Sequence, residues 1–231
     1  MRITPDSIIY WQHGFMKLNA TIVVTWALMA AMCLGAWLVT RRLTTGEKIP
    51  RWQNALEIIV SAARRQLDET GLRRAEKYLP FLGTLFLFIA VSALCTILPA
   101  YEAPTASLST TAALAIAVFL AVPVFGISER GVRGFLKEYI EPNFLLLPIN
   151  VLSEFTRTVA LAVRLFGNAM SGMMLAAVIL LLAPLFFPIL LSALELLIGF
   201  VQAYVFATLA AVYIAAAVRT HNPTPKENAY G

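Results

Sequence analysis

Polar and small side chains recur at helical spacing within two otherwise apolar stretches near the end of the chain. The first stretch carries them at steps of three or four residues: Ser153, Arg157, Ala160, Arg164, Asn168 and Ser171. The second repeats this spacing with Ser192, Glu195, Gly199 and Gln202. Residues at such steps share one face of an α-helix. Two apolar helices that each carry one polar face indicate an aqueous or partner-lined path beside them.

Arg164 is the side chain that most needs an explanation. A guanidinium near the middle of a bilayer costs ~3 kcal/mol or more on insertion scales, and it cannot lose its proton to avoid that cost. One explanation lies within the chain: an ion pair with Glu154 or Glu195, or a side chain that extends to the membrane interface. The other is a fixed positive charge that meets a mobile carboxylate on another subunit, and this is our prediction.

Other members of the two polar faces have plain structural alternatives. Arg157 lies two helical turns before Arg164, where its side chain could extend to the cytoplasmic edge of the membrane. Asn168 and Gln202 could make ordinary hydrogen bonds between helices. Glu195 can become neutral by taking up a proton, so its burial in a membrane costs less than that of an arginine.

The composition places both polar faces in a membrane protein. The chain has 231 residues, of which 59% are hydrophobic and only 13% are charged, whereas soluble domains have about 25% charged residues. These values exclude an ordinary soluble domain and a disordered chain. Two cysteines, Cys33 and Cys95, are too few for a disulfide framework.

The chain contains five intervals of at least 23 residues without a charged side chain. Because a bilayer core of ~30 Å needs about 20 apolar residues of helix, each interval can hold one membrane segment. We therefore predict an all-α polytopic membrane protein, a single domain over residues 1–231, with spans at 19–40, 79–99, 110–127, 148–183 and 189–218. The last two helices would be about 54 and 45 Å long, so they must tilt or project from the membrane.

Lysine and arginine residues set the predicted orientation. The segment 41–77 holds nine of the 18 basic residues, whereas the segment 99–110 holds none. Since basic loops stay in the cytoplasm, we expect the amino terminus outside and the carboxyl terminus in the cytoplasm. The concentration of basic residues on the cytoplasmic side explains the net charge of +5, so no binding of nucleic acid is needed to explain it.

Residues 52–67 place apolar side chains on one face of a helix and polar side chains on the other. This pattern predicts an amphipathic helix that lies in the headgroup plane or, alternatively, one that packs on a partner.

Six short motifs are spread over most of the chain, from about Trp52 to Val218. They are Arg164-Leu165-Phe166-Gly167-Asn168, Ser153-Glu154, Gln202-Ala203-Tyr204-Val205-Phe206, Tyr78-Leu79-Pro80-Phe81, Leu98-Pro99 and Pro104-Thr105-Ala106. Together they resemble subunit a of the F-type ATP synthases. The arginine motif, followed by the distant glutamine, is the most specific part of this resemblance.

The resemblance implies a stationary, non-catalytic subunit of the bacterial plasma (inner) membrane that lies against a rotating ring of c subunits. Peripheral-stalk b subunits and membrane lipid would be its other partners, and it would need no cofactor and no metal. The family's essential arginine matches Arg164, its asparagine one turn later matches Asn168, and its glutamine in the last helix matches Gln202. The two long helices would form the family's strongly tilted hairpin.

The remaining polar residues complete the predicted ion path. Glu195 falls where family members carry an acidic residue or a histidine that lines the outer half-channel. Supporting positions of the two polar faces are Ser153, Glu154, Arg157, Ser171 and Ser192.

The chain departs from the family at two titratable positions. Many members have an aspartate where this chain has Ser107, and an acidic residue or histidine where it has Met173. Either Glu195 and bound water carry protons along the outer path, or the coupling ion is sodium, which serine and glutamate oxygens can bind without a protonation step. We expect a proton, with sodium as the alternative.

Two other classes of function compete with this interpretation. A secondary transporter usually has internal repeats and interrupted helices in both halves, but here the polar faces are confined to the last two helices. An intramembrane enzyme would need a catalytic motif, and neither His-Glu-x-x-His nor Gly-x-Ser-x-Gly occurs. We therefore predict an ion-translocating subunit, with a secondary ion transporter as the alternative.

Overall fold

The computed structural model describes residues 9–13, 16–41, 51–72, 74–97, 103–140, 147–182 and 187–218. The helices found there are α1 (Ala20–Thr40), α2 (Arg51–Glu69), α3 (Ala75–Leu94), α4 (Leu108–Ile140), α5 (Leu147–Leu182) and α6 (Phe187–Val218). Two short 3-10 helices, Cys95–Ile97 and Pro104–Ala106, lie between α3 and α4. Two strands, β1 (Ile9–His13) and β2 (Met16–Asn19), precede α1.

The predicted fold class is confirmed. Helices α1, α3, α4, α5 and α6 are each long and apolar enough to cross a membrane, which gives the five expected segments. Helix α5 has 36 residues and α6 has 32, so both exceed the length that a bilayer core requires. They pack against each other as an antiparallel hairpin.

Two features were not predicted, and some of the predicted boundaries lie outside the described residues. Helix α4 has 33 residues and continues well past the predicted end at residue 127, with a break at Gly131 (φ 74°, ψ 162°). The length of a charge-free interval underestimates the length of such a helix, because helical structure does not stop at the first charged side chain. Strands β1 and β2 form an antiparallel hairpin that we did not predict. The expected ends at residues 99 and 183, and the basic tail from residue 219 onward, lie outside the described residues.

Helix α2 is the predicted amphipathic helix. Its Ile58 and Ile59 side chains are 60% and 62% exposed, and an Arg64–Glu76 ion pair of 3.1 Å connects it to α3. Because this pair is exposed, it contributes little to stability. The apolar exposure fits a position in the headgroup plane, which stays a prediction.

The four helices from α3 to α6 form the packed part of the molecule. Helix α6 packs mainly along α3, and α5 packs mainly along α4. Phe125 of α4 makes edge-on ring contacts with Tyr78 and Phe81 of α3, at 5.0 and 5.9 Å between centroids. Large side chains that are almost completely buried are Tyr78, Ile89, Leu161, Phe206 and Ile214. This packing fixes how α5 and α6 present their polar faces.

A glycine permits the close approach of α6 to α3. A Cβ atom added at Gly199 would lie 2.6 Å from the Cβ of Ala93, a distance that real structures do not tolerate. One turn of α6 is therefore held against α3 because residue 199 has no side chain, and the Phe86–Phe200 ring contact at 5.6 Å lies in the same region.

We expect Gly199→Ala to destabilise the protein by about 1–3 kcal/mol, since the extra methyl overpacks a helix contact. The measurement is the thermal unfolding midpoint of the detergent-purified protein. Gly83→Ala in α3 is the matched control because a Cβ there meets nothing within 4 Å, and alanine favours helix over glycine. Equal midpoints for the two variants would contradict this account of the packing.

Candidate functional site

A cavity of about 530 Å³ lies between α3, the Pro104–Ala106 turn, α5 and α6. We call it the Glu195 cavity. The polar side chains that line it are Thr96, Thr105, Asn168, Ser171, Ser192, Glu195 and Gln202. The polar faces of the two long helices are thus turned toward a shared space, and the end of α3 completes its wall.

Glu195 is the carboxylate of this cavity. Its Oε1 atom is buried and has no hydrogen-bond partner among the described residues. A Cβ atom added at Gly172 would lie 2.8 Å from Oε1, so the carboxylate occupies space that a side chain at residue 172 would take. An ionised carboxylate in such a position is stable only when water or a cation solvates it, and the cavity is large enough to hold several waters.

Two serine hydroxyl groups of the cavity are oriented as acceptors. Ser171 donates to the backbone carbonyl of Asn168 at 3.0 Å, and Ser192 donates to that of Pro188 at 2.9 Å. Because each hydroxyl proton is used by the helix backbone, the oxygen lone pairs stay available to a ligand. Gln202, which is 9% exposed, adds a buried side-chain amide. The carboxylate and the serine oxygens suit a cation or water, and the Nε2 group of Gln202, which has no hydrogen-bond partner among the described residues, can donate to such a water.

A second, smaller cavity of about 240 Å³ lies near the start of α5, between α4, α5 and α6. We call it the Arg157 cavity. Its polar side chains from α5 are Asn150, Ser153, Glu154, Arg157 and Thr158. The guanidinium of Arg157 lies over the ring of Tyr213 in α6, 5.7 Å from its centroid, at a distance typical of a cation–π contact.

A layer of buried apolar side chains separates the two cavities. Along α5 the Arg157 cavity ends at Thr158 and the Glu195 cavity begins at Leu165, a rise of about 10 Å along the helix. The layer consists of Leu161, Leu165, Ala203, Phe206 and Ala210, each at most 2% exposed. Neither cavity extends through this layer. The Arg157 cavity therefore lies at one end of the α5–α6 hairpin, and the Glu195 cavity lies at the other.

Arg164 lies at the level of this layer and lines neither cavity. Its side chain is on the exposed surface of α5. In the part of the chain that the structure describes, no ion pair joins Arg164 to Glu154 or Glu195; the ion pairs found there are Arg64–Glu76, Arg65–Glu69 and Lys77–Glu129. The intramolecular explanation of its charge therefore finds no support among these residues.

The structure thus sorts the predicted site residues into three groups. Asn168, Ser171, Ser192, Glu195 and Gln202 line the Glu195 cavity. Ser153, Glu154 and Arg157 line the Arg157 cavity. Arg164 stands between them on the outer surface.

Sequence reasoning missed several residues of the two cavities. Gly172 lies four residues after Asn168 on the same helix face. Its spacing could have identified it, but a search for polar side chains does not include glycine. Thr96, Thr105 and Tyr213 come from other elements, and no spacing within α5 could reveal them. Among the described residues, no group of three or more His, Cys, Asp or Glu side chains lies together as a metal site.

Comparison with known proteins identifies the family. The family model described as ATP synthase A chain matches residues 22–215. The chain is 60% identical to ATP synthase subunit a of Albidiferax ferrireducens, with 98% of each chain covered. It is also 60% identical to subunit a 1 of Chlorobaculum parvum, covering 95% of this chain and 97% of that one, and 51% identical to subunit a 2 of Acaryochloris marina over 100% of both. The resemblance inferred from the motifs is confirmed: the chain belongs to the family of subunit a of the F-type ATP synthases.

Proposed function

We propose that this subunit conducts the coupling ion of an ATP synthase through two half-channels that meet a rotating ring of c subunits. The single observation that carries the proposal is the arrangement around the apolar layer. A polar cavity lies on each side of the layer, and Arg164, without an ion pair to Glu154 or Glu195, is exposed at the same level. In this proposal an ion does not cross the layer within this chain alone, and a carrier moves it from one cavity to the other.

The carrier in this proposal is a carboxylate on each ring subunit. A neutralised carboxylate can face lipid, whereas a charged one cannot do so without a large desolvation cost. The positive charge of Arg164 favours the ionised form of a carboxylate that approaches it, so the bound ion is released there. The same charge repels cations that would otherwise leak directly between the half-channels.

Arginine suits this position better than lysine does. It stays charged in a low dielectric and presents several hydrogen-bond donors to a passing carboxylate. Too strong a pair would stall the rotor, so we propose that Asn168, one turn further along α5, and Gln202 keep the guanidinium in place and partly solvated. The membrane potential supplies ~2.3 kcal/mol per elementary charge for each 100 mV, and rotation of the ring uses this work.

The distribution of basic residues gives the proposed direction. With the amino terminus outside a bacterial plasma membrane, the five spans put the start of α5 and the end of α6 on the cytoplasmic side. The Arg157 cavity is then the inner half-channel and the Glu195 cavity the outer one. The subunit is non-catalytic, and its partners are the c-ring, the b subunits of the peripheral stalk and the surrounding lipid.

Replacing Arg164 tests the proposal directly. We expect Arg164→Ala to abolish ATP-driven ion pumping by inverted membrane vesicles and to increase the passive leak of the coupling ion, since the charge that separates the half-channels is lost. The control is Arg65→Ala, which removes an exposed arginine of α2 whose ion pair, with Glu69 at 3.5 Å, lies within its own helix. Coupled pumping that persists in Arg164→Ala would overturn the proposal.

The space next to Gly172 provides a second test. We expect Gly172→Ala to displace the Glu195 carboxylate and to lower the pumping rate by up to about a hundredfold, because a misplacement of about 1 Å in a functional group can cost roughly 10²-fold. Adding Glu195→Asp to this variant shortens the displaced side chain and should restore part of the rate. If the Gly172→Ala variant pumps at the parent rate, the position of the Glu195 carboxylate does not affect ion pumping, and this part of the proposal is wrong.

The coupling ion is a proton in our proposal, with sodium as the alternative. A specific observation supports the alternative: the Glu195 cavity combines one carboxylate with serine hydroxyls that are oriented as acceptors, and such oxygens bind hard cations. Proton coupling predicts that ATP hydrolysis by the purified complex is unaffected by sodium at any pH. Stimulation by sodium, together with protection of the ring carboxylate from carbodiimide, would instead establish sodium coupling.

A further inference from the structure

The last turn of α4 before Gly131 binds two other helices through consecutive polar residues. Lys77 at the start of α3 donates to the Oγ atom of Ser128 at 2.8 Å and to the Oε1 atom of Glu129 at 2.6 Å. Arg130 donates from Nε to the backbone carbonyl of Val218, the last residue of α6, at 3.2 Å. A single helical turn therefore joins the beginning of α3 to the end of α6.

The hydrogen bond from Arg130 to Val218 pairs a backbone carbonyl group at the carboxyl end of α6. The last four carbonyl groups of an α-helix have no partner within the helix, and they form the negative end of the helix dipole. A guanidinium that donates to one of them satisfies an acceptor and places a positive charge where it is favoured. Because the donor is charged, this hydrogen bond is stronger than one between neutral groups.

The turn that carries Arg130 is itself firmly held. The Lys77–Glu129 ion pair is partly buried, with side chains 35% and 23% exposed. The neighbouring Tyr78 is buried and packs its ring against Phe125, one turn before Glu129. The position of Arg130 is thus set by packed helices on one side, while the helix breaks at Gly131 on the other.

This contact adjoins the Arg157 cavity. Tyr213, Ala216 and Ala217 line that cavity and lie in the last six residues of α6, directly before Val218. The α4 side of the cavity is formed by Val118, Phe119 and Val122. A bond that joins Arg130 of α4 to Val218 of α6 therefore limits how far these two walls can separate.

We propose that Arg130 is a positioning residue that holds the end of α6 and thereby fixes the shape of the inner half-channel. The inference rests on the proposed function, in which the Arg157 cavity is the inner path of the ion. Arg130 does not contact the ion. It acts through Tyr213, whose ring lies under the Arg157 guanidinium and moves with the end of α6.

The test uses thiol labelling of the detergent-purified ATP synthase, in which the reagent reaches both cavities, and it measures ATP-driven pumping in inverted membrane vesicles. Cys33 and Cys95 are first replaced by alanine, and Ala217→Cys then reports on the Arg157 cavity while Ala176→Cys reports on the Glu195 cavity as the control. The reagent is a small cationic methanethiosulfonate. Loss of one hydrogen bond from a charged donor shifts an equilibrium by roughly tenfold or more, so Arg130→Met should raise the labelling rate at residue 217 several-fold.

The result that supports the inference has three parts. Labelling at residue 217 rises, labelling at residue 176 does not change, and ATP-driven pumping falls. Arg130→Lys, which keeps a charged donor, should restore slow labelling and most of the pumping rate. A purely local loss of stability would not give this rescue together with a change confined to one cavity.

Two outcomes would overturn the inference in distinguishable ways. Unchanged labelling at residue 217 in Arg130→Met would refute the positioning role and leave the proposed function intact. Faster labelling with full pumping would show that the Arg157 cavity is not the path of the ion, which refutes the proposed function of that cavity. If Arg130→Met fails to assemble, Lys77→Met loosens the same turn from α3, and no rise in labelling there would likewise refute the inference.

Discussion

A positive charge that can never be discharged, held on a membrane-spanning helix, is the constraint on which this structure depends. Arg164 needs a negative partner or water, and no ion pair among the described residues joins it to Glu154 or Glu195. Its side chain is exposed on α5 at the level of a buried apolar layer, a position that another protein can reach. The chain belongs to the ATP synthase subunit a family, and in the proposed function this partner is the rotor ring.

The rest of the fold serves to keep the two polar cavities apart. The layer of Leu161, Leu165, Phe206 and its small neighbours is closed because α3 and α4 press against α5 and α6. Two glycines adjust this packing locally: Gly199 lets α6 approach α3, and Gly172 leaves room for the Glu195 carboxylate. Close apolar packing and polar access are thus provided by the same pair of helices within about 10 Å of each other.

Much of this arrangement could be predicted from the sequence because membrane insertion imposes strong local rules. Charge-free intervals identified the five spans, and the spacing around Arg164 and Glu195 identified the polar faces. What could not be predicted depends on contacts between distant residues. Thr96 joins the Glu195 cavity through the packing of the end of α3 against α6, Thr105 joins it through the contact of Pro104–Ala106 with α5, and Arg130 reaches Val218 across 88 positions of sequence. The full length of α4 could not be predicted from the charge-free interval because a helix can continue past its last apolar turn.

The most direct measurement of the central claim is an experimental structure of the assembled ATP synthase at a resolution that shows side chains. The account predicts that the nearest carboxylate to the Arg164 guanidinium belongs to a subunit of the rotor ring, at the ~4–6 Å separation over which opposite charges stabilise each other. It also predicts water or cations within both cavities and none within the layer between them. A guanidinium paired with Glu154 or Glu195 of its own chain, with no ring carboxylate passing nearby, would contradict the account.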